Sequence, residues 1–482
     1  MYFTLLLFSL FFFWIFIFII FLNYNFIRIY CLFFFIIFFL IALLTVFFFN
    51  PLIFWYQIIF EFYRFSFLNI SYILAIDGIS IFFLVLSCFL LMFCFLIYWF
   101  LKYKVSLYAF LLFFSLWVLF NVFLTLDLFL FYIFFEAIVI PMFLLIGIWG
   151  SRTRKIYAAY QFFIYTLLGS VFVLISFFSI YLNKGSSEYE FVLNSYYFEN
   201  RELLFFLFLF FGFSVKIPII PVHIWLPEAH VEAPTPGSVI LAGILLKLGS
   251  YAILRFLLPS LNLIALDLIF FILILALVGF LYTSLVALNQ IDIKKIIAYS
   301  SIAHMNFSLI GFFSQSLLGL SGAFIMMFGH AITSGALFLG IGILYDRFKT
   351  RLIYYYSGIV ILMPIFSILY FLFILSNFGF PGTANFVGEF LITVGGFAFS
   401  SVILVLSTIG LILTLVYSLF FYNRIFFSSL QILFIRYYSE ITRLEFLILL
   451  VFLLLVGVLG LYPNFIFNIS LGSMLKWTLI NF

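Results

Sequence analysis

Six side chains stand where membrane-spanning sequence ordinarily holds none: Glu136, Lys216, Lys247, His304, His330 and Glu389 each fall well inside a long apolar run. A lysine at a bilayer centre costs roughly 2.5–3.5 kcal/mol on insertion scales. Uncompensated, the two lysines and two glutamates would together cost on the order of 10 kcal/mol, comparable with the stability of a whole domain. Pairing and hydration must offset this, and glutamate with lysine is the pairing at hand. Titratable groups held at mid-membrane depth are the material of an ion or proton path.

Their helical neighbours decide whether water can reach them. Ser300, Ser301 and Ser308 share the face of His304, and Thr333 and Ser334 follow His330 by one turn. Gly243, Ser250 and Tyr251 flank Lys247, Tyr132 lies one turn before Glu136, and Asn385 and Thr393 bracket Glu389. Small and hydroxylated neighbours leave room for water that hydrogen-bonds each group. Each residue taken singly also has a plainer explanation: a buried glutamate can bond a neighbouring helix, a mid-span histidine can be a packing residue, and Lys247 can snorkel. All six together are hard to explain as packing.

The elements that carry them are broken. Between Phe211 and Ser250 lie both lysines and five of the eleven prolines. Pro218 and Pro221 follow Lys216 and remove backbone donors, which opens the helix beside it. The apolar run at 357–399 is too long for one span and is interrupted at Ser376–Gly382, with Pro381 eight residues before Glu389. Discontinuous helices near 203–225 and 357–399 are what an inverted-repeat transporter places at its ion site. The turn between the two lysines holds Glu228, His230 and Glu232, a candidate proton-uptake surface or simply a solvated loop.

Composition sets the class. Of 482 residues, 8% are charged and 68% hydrophobic, with a mean hydropathy of +1.40. A soluble chain of this length cannot hide that much apolar surface, so the fold class is an all-α polytopic membrane protein. The 81 phenylalanines fit an AT-rich organellar gene, and the apolar N-terminus reads as a first membrane helix at 3–22 rather than a targeting peptide. Cys31, Cys88 and Cys94 lack metal-ligand or CxxC spacing and read as buried small hydrophobes. No metal site is expected, and without a GxGxxG or P-loop no cofactor or nucleotide site is expected either.

About 14 spans of the length lipid requires run from 3–22 to 443–463. Loops after odd-numbered spans hold 14 of the 21 Lys and Arg, and those after even-numbered spans hold 5. That asymmetry puts the odd loops on the negative side of the membrane. Arg255, Lys294 and Arg351 are among the residues counted as loop charges.

The segment VKIPIIPVHIWLPEAHVEAPTPGSVILAGILLKLGSYAILR at 215–255 resembles the central signature of the antiporter-like proton-translocating subunits of respiratory complex I, NADH:ubiquinone oxidoreductase. DIKKIIAYSSIAHMNF at 292–307, NFVGEFL at 385–391 and LAIDGIS at 74–80 resemble the same family. A glutamate rather than a lysine at 389 resembles its chain 4 branch. The resemblance implies N-terminal helices in 1–105, two inverted five-helix repeats at 106–258 and 259–428, and a last helix and tail in 429–482. It implies that Glu136 and Lys216 form an ion pair, that Lys247 and His304 are central relays followed by His330, and that Glu389 is the terminal carboxylate. Asp77 matches a family position without an assigned role here. Implied partners are the other membrane-arm subunits, neighbouring antiporter-like chains above all, and membrane lipids including cardiolipin, with no nucleic acid. NADH, FMN, iron–sulfur clusters and ubiquinone are expected in partner subunits, none in this chain, and the implied location is the mitochondrial inner membrane. A stand-alone multisubunit cation/proton antiporter and an inert membrane scaffold are the alternative readings.

Overall fold

A computed structural model describes residues 24–53, 55–65, 70–99, 103–193, 199–260, 262–427, 429 and 439–479; the expected helix at 3–22 lies outside them. Among the described residues, ten helices are long and apolar enough to cross a membrane, and two shorter apolar helices, Pro364–Asn377 and Ala384–Phe397, form the halves of the expected broken span. Helix is the form these Phe-, Leu- and Ile-rich runs must take, because backbone amides and carbonyls in lipid find partners only within their own segment. Polar residues set several of the ends. Asp127 caps Leu128–Ala137 by accepting from the amides of Phe129 at 2.9 Å and Leu130 at 3.2 Å. Thr442 and Glu445 form a capping box on Arg443–Leu461.

Among the ten long apolar helices, two stand apart by burial. The apolar windows of Thr235–Leu257, which carries Lys247, and Leu317–Phe348, which carries His330, are 100% buried, whereas that of Arg443–Leu461 is 22% buried. The lysine and histidine therefore sit in stretches of helix with no exposed face.

The chain divides into two compact units. One gathers the described residues of 1–216, 248–267 and 468–482, the other those of 217–247 and 268–467. In the first, Lys155–Lys184 and Glu199–Lys216 approach backbone to backbone at Gly169 and Gly212, where a side chain on Gly212 would meet the Gly169 carbonyl at 2.8 Å. This unit also holds an antiparallel hairpin, Ile58–Phe65 paired with Ile70–Ile76, in register Ile58 to Ile76 and Phe65 to Ile70, with an irregularity between Glu61 and Tyr63. It is the one sheet among the described residues of a chain otherwise built on helices. The isoleucines and tyrosine of ISYILAI are residues that suit a strand.

In the second unit, the broken span packs along Leu317–Phe348 through small residues: a side chain on Gly388 would come within 2.9 Å of the Met326 Cα. The break itself turns on Gly379 at φ +73° and Gly382 at φ +93°, backbone that disfavours any residue with a Cβ. The other expected break is equally plain. Helix Glu199–Lys216 stops at the lysine, the chain turns through the prolines, and helix resumes at Trp225–Glu232.

Contacts between connecting segments agree with the alternation expected from fourteen spans. The Trp149 indole donates to the Tyr103 carbonyl at 3.2 Å, the Ile293 amide to Arg351 at 3.0 Å, and Arg347 to the Ser439 carbonyl at 2.9 Å; each joins two odd-numbered connections. The Leu128 amide to the Ser187 carbonyl at 3.0 Å and the Leu126 amide to Ile73 at 3.1 Å join even-numbered ones. Three of the loop charges nevertheless prove buried: Arg255, Lys294 and Arg351 are 2%, 3% and 1% exposed. Each has a partner that outweighs hydration, the Asp77 carboxylate, the Ala233 carbonyl at 2.7 Å and Glu232 at 3.4 Å respectively. The three cysteines are buried thiols outside any disulfide.

Replacing Gly388 with valine should wedge the two helices apart. Overpacking costs about 1–3 kcal/mol, and the expected result is a markedly lower yield of assembled protein on native gels, with the Gly388→Ala change milder.

Candidate proton-translocation site

Glu136 lies one residue before the end of Leu128–Ala137, where the helix gives way at Ile138 before continuing as Val139–Trp149. Pro141, lacking an amide, cannot bond the Ala137 carbonyl four residues back, so the break falls beside the carboxylate. Lys216 is the last helical residue before its own proline-bearing turn. Its Nζ lies 3.4 Å from Glu136 Oε1, donates to the Phe135 carbonyl and sits 3.2 Å above the centre of the Phe135 ring. The lysine is 5% and the glutamate 15% exposed. An ion pair, a main-chain carbonyl and an aromatic face thus replace the water this ammonium lacks. Ser170, from the neighbouring helix Lys155–Lys184, stands beside the same carboxylate.

The second unit holds a row of four groups. Just before Lys247 the helix widens into a π-helical turn at Leu241–Leu245. Such a turn shifts the i to i−4 bonding and leaves carbonyls short of partners. Lys247 Nζ donates to one of them, Ala242, at 2.6 Å, and lies 2.8 Å from His330 Nδ1. A protonated lysine can only donate, so Nδ1 must accept and the ring proton then sits on Nε2. The His330 and His304 ring centres are 5.4 Å apart, and His304 Nδ1 lies 3.8 Å from Glu389 Oε1. The row therefore runs Lys247, His330, His304, Glu389. Its order differs from the expectation that His304 precedes His330, because His330 projects from the buried middle of Leu317–Phe348 directly onto the lysine.

Glu389 is seated by the helix break. A Cβ on Gly379 would fall 2.1 Å from Glu389 Oε2, so only glycine lets the carboxylate lie against the interrupted backbone. Asn377, at the end of the first half-helix, and Tyr417 stand in the same cluster with Ser300 and His304. Sequence reasoning did not single out Asn377 or Tyr417. An asparagine on the Glu389 break and a tyrosine in a neighbouring span have no fixed spacing from the site, so only the fold brings them to it. Glu389 Oε1 and His330 Nε2 are buried without a hydrogen-bond partner among protein atoms, a state that ordered water relieves.

The turn expected as a proton-uptake surface is mostly inside the protein. Glu228 reaches the surface and pairs with Lys295 at 2.7 Å. Glu232 is buried against Arg351 at 3.4 Å. His230 is fully buried and stacked on Phe338, ring centres 4.5 Å apart. Burial, reinforced by the nearby Lys294 and Lys247, pushes the His230 imidazole down to about 3, so it is neutral at physiological pH. Pro218 and Pro221 lie at the first break and Pro381 within the second, as expected.

Residues 125–415 match the family described as NADH:quinone oxidoreductase/Mrp antiporter, TM. The chain is 48% identical over 397 residues to NADH-ubiquinone oxidoreductase chain 4 of Marchantia polymorpha, covering 82% of this chain and 80% of that protein. It superposes on a chain of respiratory complex I from Thermus thermophilus with a TM-score of 0.80 at 25% identity, covering 88% of each. A chain of the Mrp complex from a Dietzia species gives a TM-score of 0.84 at 18% identity over 95% of this chain and 94% of that one, a likeness of fold. On the length and level of these matches, the chain belongs to the chain 4 family of NADH-ubiquinone oxidoreductase, the antiporter-like membrane subunits of respiratory complex I.

Proposed function

We propose that this chain moves protons through Glu136, Lys216, Lys247, His330, His304 and Glu389 as a membrane-arm subunit of respiratory complex I, driven by quinone reduction elsewhere in the complex. Supporting the residue assignment above all is the row Lys247–His330–His304–Glu389, four titratable groups in sequence inside one unit, lying on helices whose regular bonding is broken beside the lysine and the carboxylate. The neighbouring chains of the membrane arm, lipids including cardiolipin, and the mitochondrial inner membrane are its setting in this reading. NADH, FMN, iron–sulfur clusters and ubiquinone reside in partner subunits.

The chemistry follows from the contacts. With Glu136 close, the anion favours protonated Lys216; with Glu136 withdrawn, burial favours release. Each pK unit so shifted is worth about 1.4 kcal/mol, so a small movement of the carboxylate switches the lysine. In the other unit the Lys247 ammonium delivers a proton to His330 Nδ1, and the ring gives up its Nε2 proton toward His304 and then Glu389. An imidazole is suited to this because it accepts at one nitrogen while donating at the other. The fold is shared with Mrp antiporter chains, so a stand-alone antiporter is the competing reading. The sequence match to chain 4 proteins over four-fifths of the chain favours complex I.

Replacing Lys216 or Glu389 with alanine is expected to suppress proton translocation coupled to NADH oxidation while the complex still assembles. Full proton stoichiometry in both variants would overturn the assignment and favour a scaffold. His330→Gln keeps a hydrogen bond to Lys247 but cannot pass a proton. Losing a positioned acid–base group costs roughly two orders of magnitude in transfer rate, so NADH-driven acidification should collapse in this variant; normal pumping would remove His330 from the path. Native purification with flavin and iron–sulfur partners supports complex I over the stand-alone antiporter, and isolation without them would reverse that choice.

A further inference from the structure

We propose that Asp77 and Arg255 are a positioning pair that holds Phe256 as an aromatic seal between the Glu136–Lys216 switch and the membrane side opposite the basic loops. The inference rests on the reading of Glu136 and Lys216 as a proton switch and adds residues that reading leaves unused.

Arg255 and Phe256 are neighbours in a second π-helical turn, Ile253–Leu257. A π turn is a local irregularity whose side-chain directions are not fixed by regular helix bonding, so something must set where Phe256 points. Arg255 is buried and bonded to the Asp77 carboxylate, and its guanidinium lies 5.0 Å from the Tyr56 ring and 5.1 Å from the Tyr189 ring. Asp77 is fixed in turn: its Oδ1 accepts from the Ser80 amide at 2.9 Å, and its own amide donates to Ser80 Oγ at 3.0 Å. Burial pushes the Asp77 carboxyl up, but Arg255 and Ser80 outweigh burial and hold it below the usual carboxylate range. The pair stays charged and closed near neutral pH.

From that anchor an unbroken aromatic wall leads to the switch. The Phe256 ring lies 4.3 Å from Phe131 and 6.0 Å from Phe177, and Phe131 lies 5.1 Å from Phe135. Phe135 is the ring that covers the Lys216 ammonium. Phe131, Phe135, Phe177 and Phe256 are all buried, and a wall of phenylalanine carries no group that can relay a proton or hold a water. By the loop-charge rule, both Asp77, before the span at 79–101, and Arg255, at the end of 235–258, face the side opposite the basic loops. A proton on Lys216 is thereby kept from leaking that way while the switch is open.

The test uses the intact complex in proteoliposomes with an imposed pH difference and no NADH, so that leakage is read without turnover. Phe256→Ala and Asp77→Asn are expected to dissipate the gradient several-fold faster than the unaltered complex, with NADH:quinone reduction unchanged, and Phe256→Leu is expected to restore tightness. Gradient decay at the unaltered rate in Phe256→Ala would overturn the seal, including the case where Asp77→Asn fails to assemble. A leaky Asp77→Asn beside a tight Phe256→Ala would overturn it equally. Adding Lys216→Ala to Phe256→Ala separates the two readings: a leak that disappears supports both, and one that persists upholds the seal while refuting Lys216 as the proton's route.

Discussion

An ammonium or carboxylate far from bulk water must be surrounded by groups that replace its hydration, and this chain supplies them by breaking its own helices. Lys216 ends a helix and bonds the carbonyl of Phe135, beside a second break at Ile138. Lys247 bonds the Ala242 carbonyl within a π-helical turn. Glu389 lies against Gly379 in the interrupted span. A regular helix consumes its polar groups internally and has none to offer. Helix irregularity and intramembrane charge are thus one feature of the architecture, since each makes the other tolerable.

Much of this was legible in the sequence because both signals are contrasts with a uniform background. A lysine among phenylalanines and a proline or glycine within an apolar run each stand out, and the spans around them have a length fixed by the bilayer. What stayed hidden depends on contacts across the fold. Arg255, Lys294 and Arg351 sit close to apparent loops, where a basic residue is ordinary, and only Asp77, the Ala233 carbonyl and Glu232 brought against them reveal them as buried. The hairpin at 58–76 leaves little trace because its apolar strands resemble the surrounding helices in composition. The π-helical turns leave no clear trace at all, being a matter of register.

The order of the proposed relay teaches a similar lesson. Chain order and family likeness put His304 ahead of His330, yet the 32-residue helix Leu317–Phe348 runs through the centre of its unit and carries His330 to Lys247. Which titratable group stands next in the row is decided by the path of the helix that holds it, and the central part of this helix, from Gly319 to Leu344, is buried.

The ion pairs also differ in how firmly they are held. Asp77–Arg255 is closed by Ser80 and flanked by tyrosine rings, and Arg347 grips Glu445 at 2.8 and 3.1 Å. Removing one partner of such a pair strands a charge at a cost of several kcal/mol, so these pairs fix elements in place. Glu136–Lys216 at 3.4 Å and His304–Glu389 at 3.8 Å are looser, and the latter is too long for a direct hydrogen bond. In the proposed path, a group that must gain and lose a proton cannot be locked in its charged form. A loose pair beside a helix break keeps both protonation states within reach, and the tight pairs elsewhere keep the surrounding helices from following it.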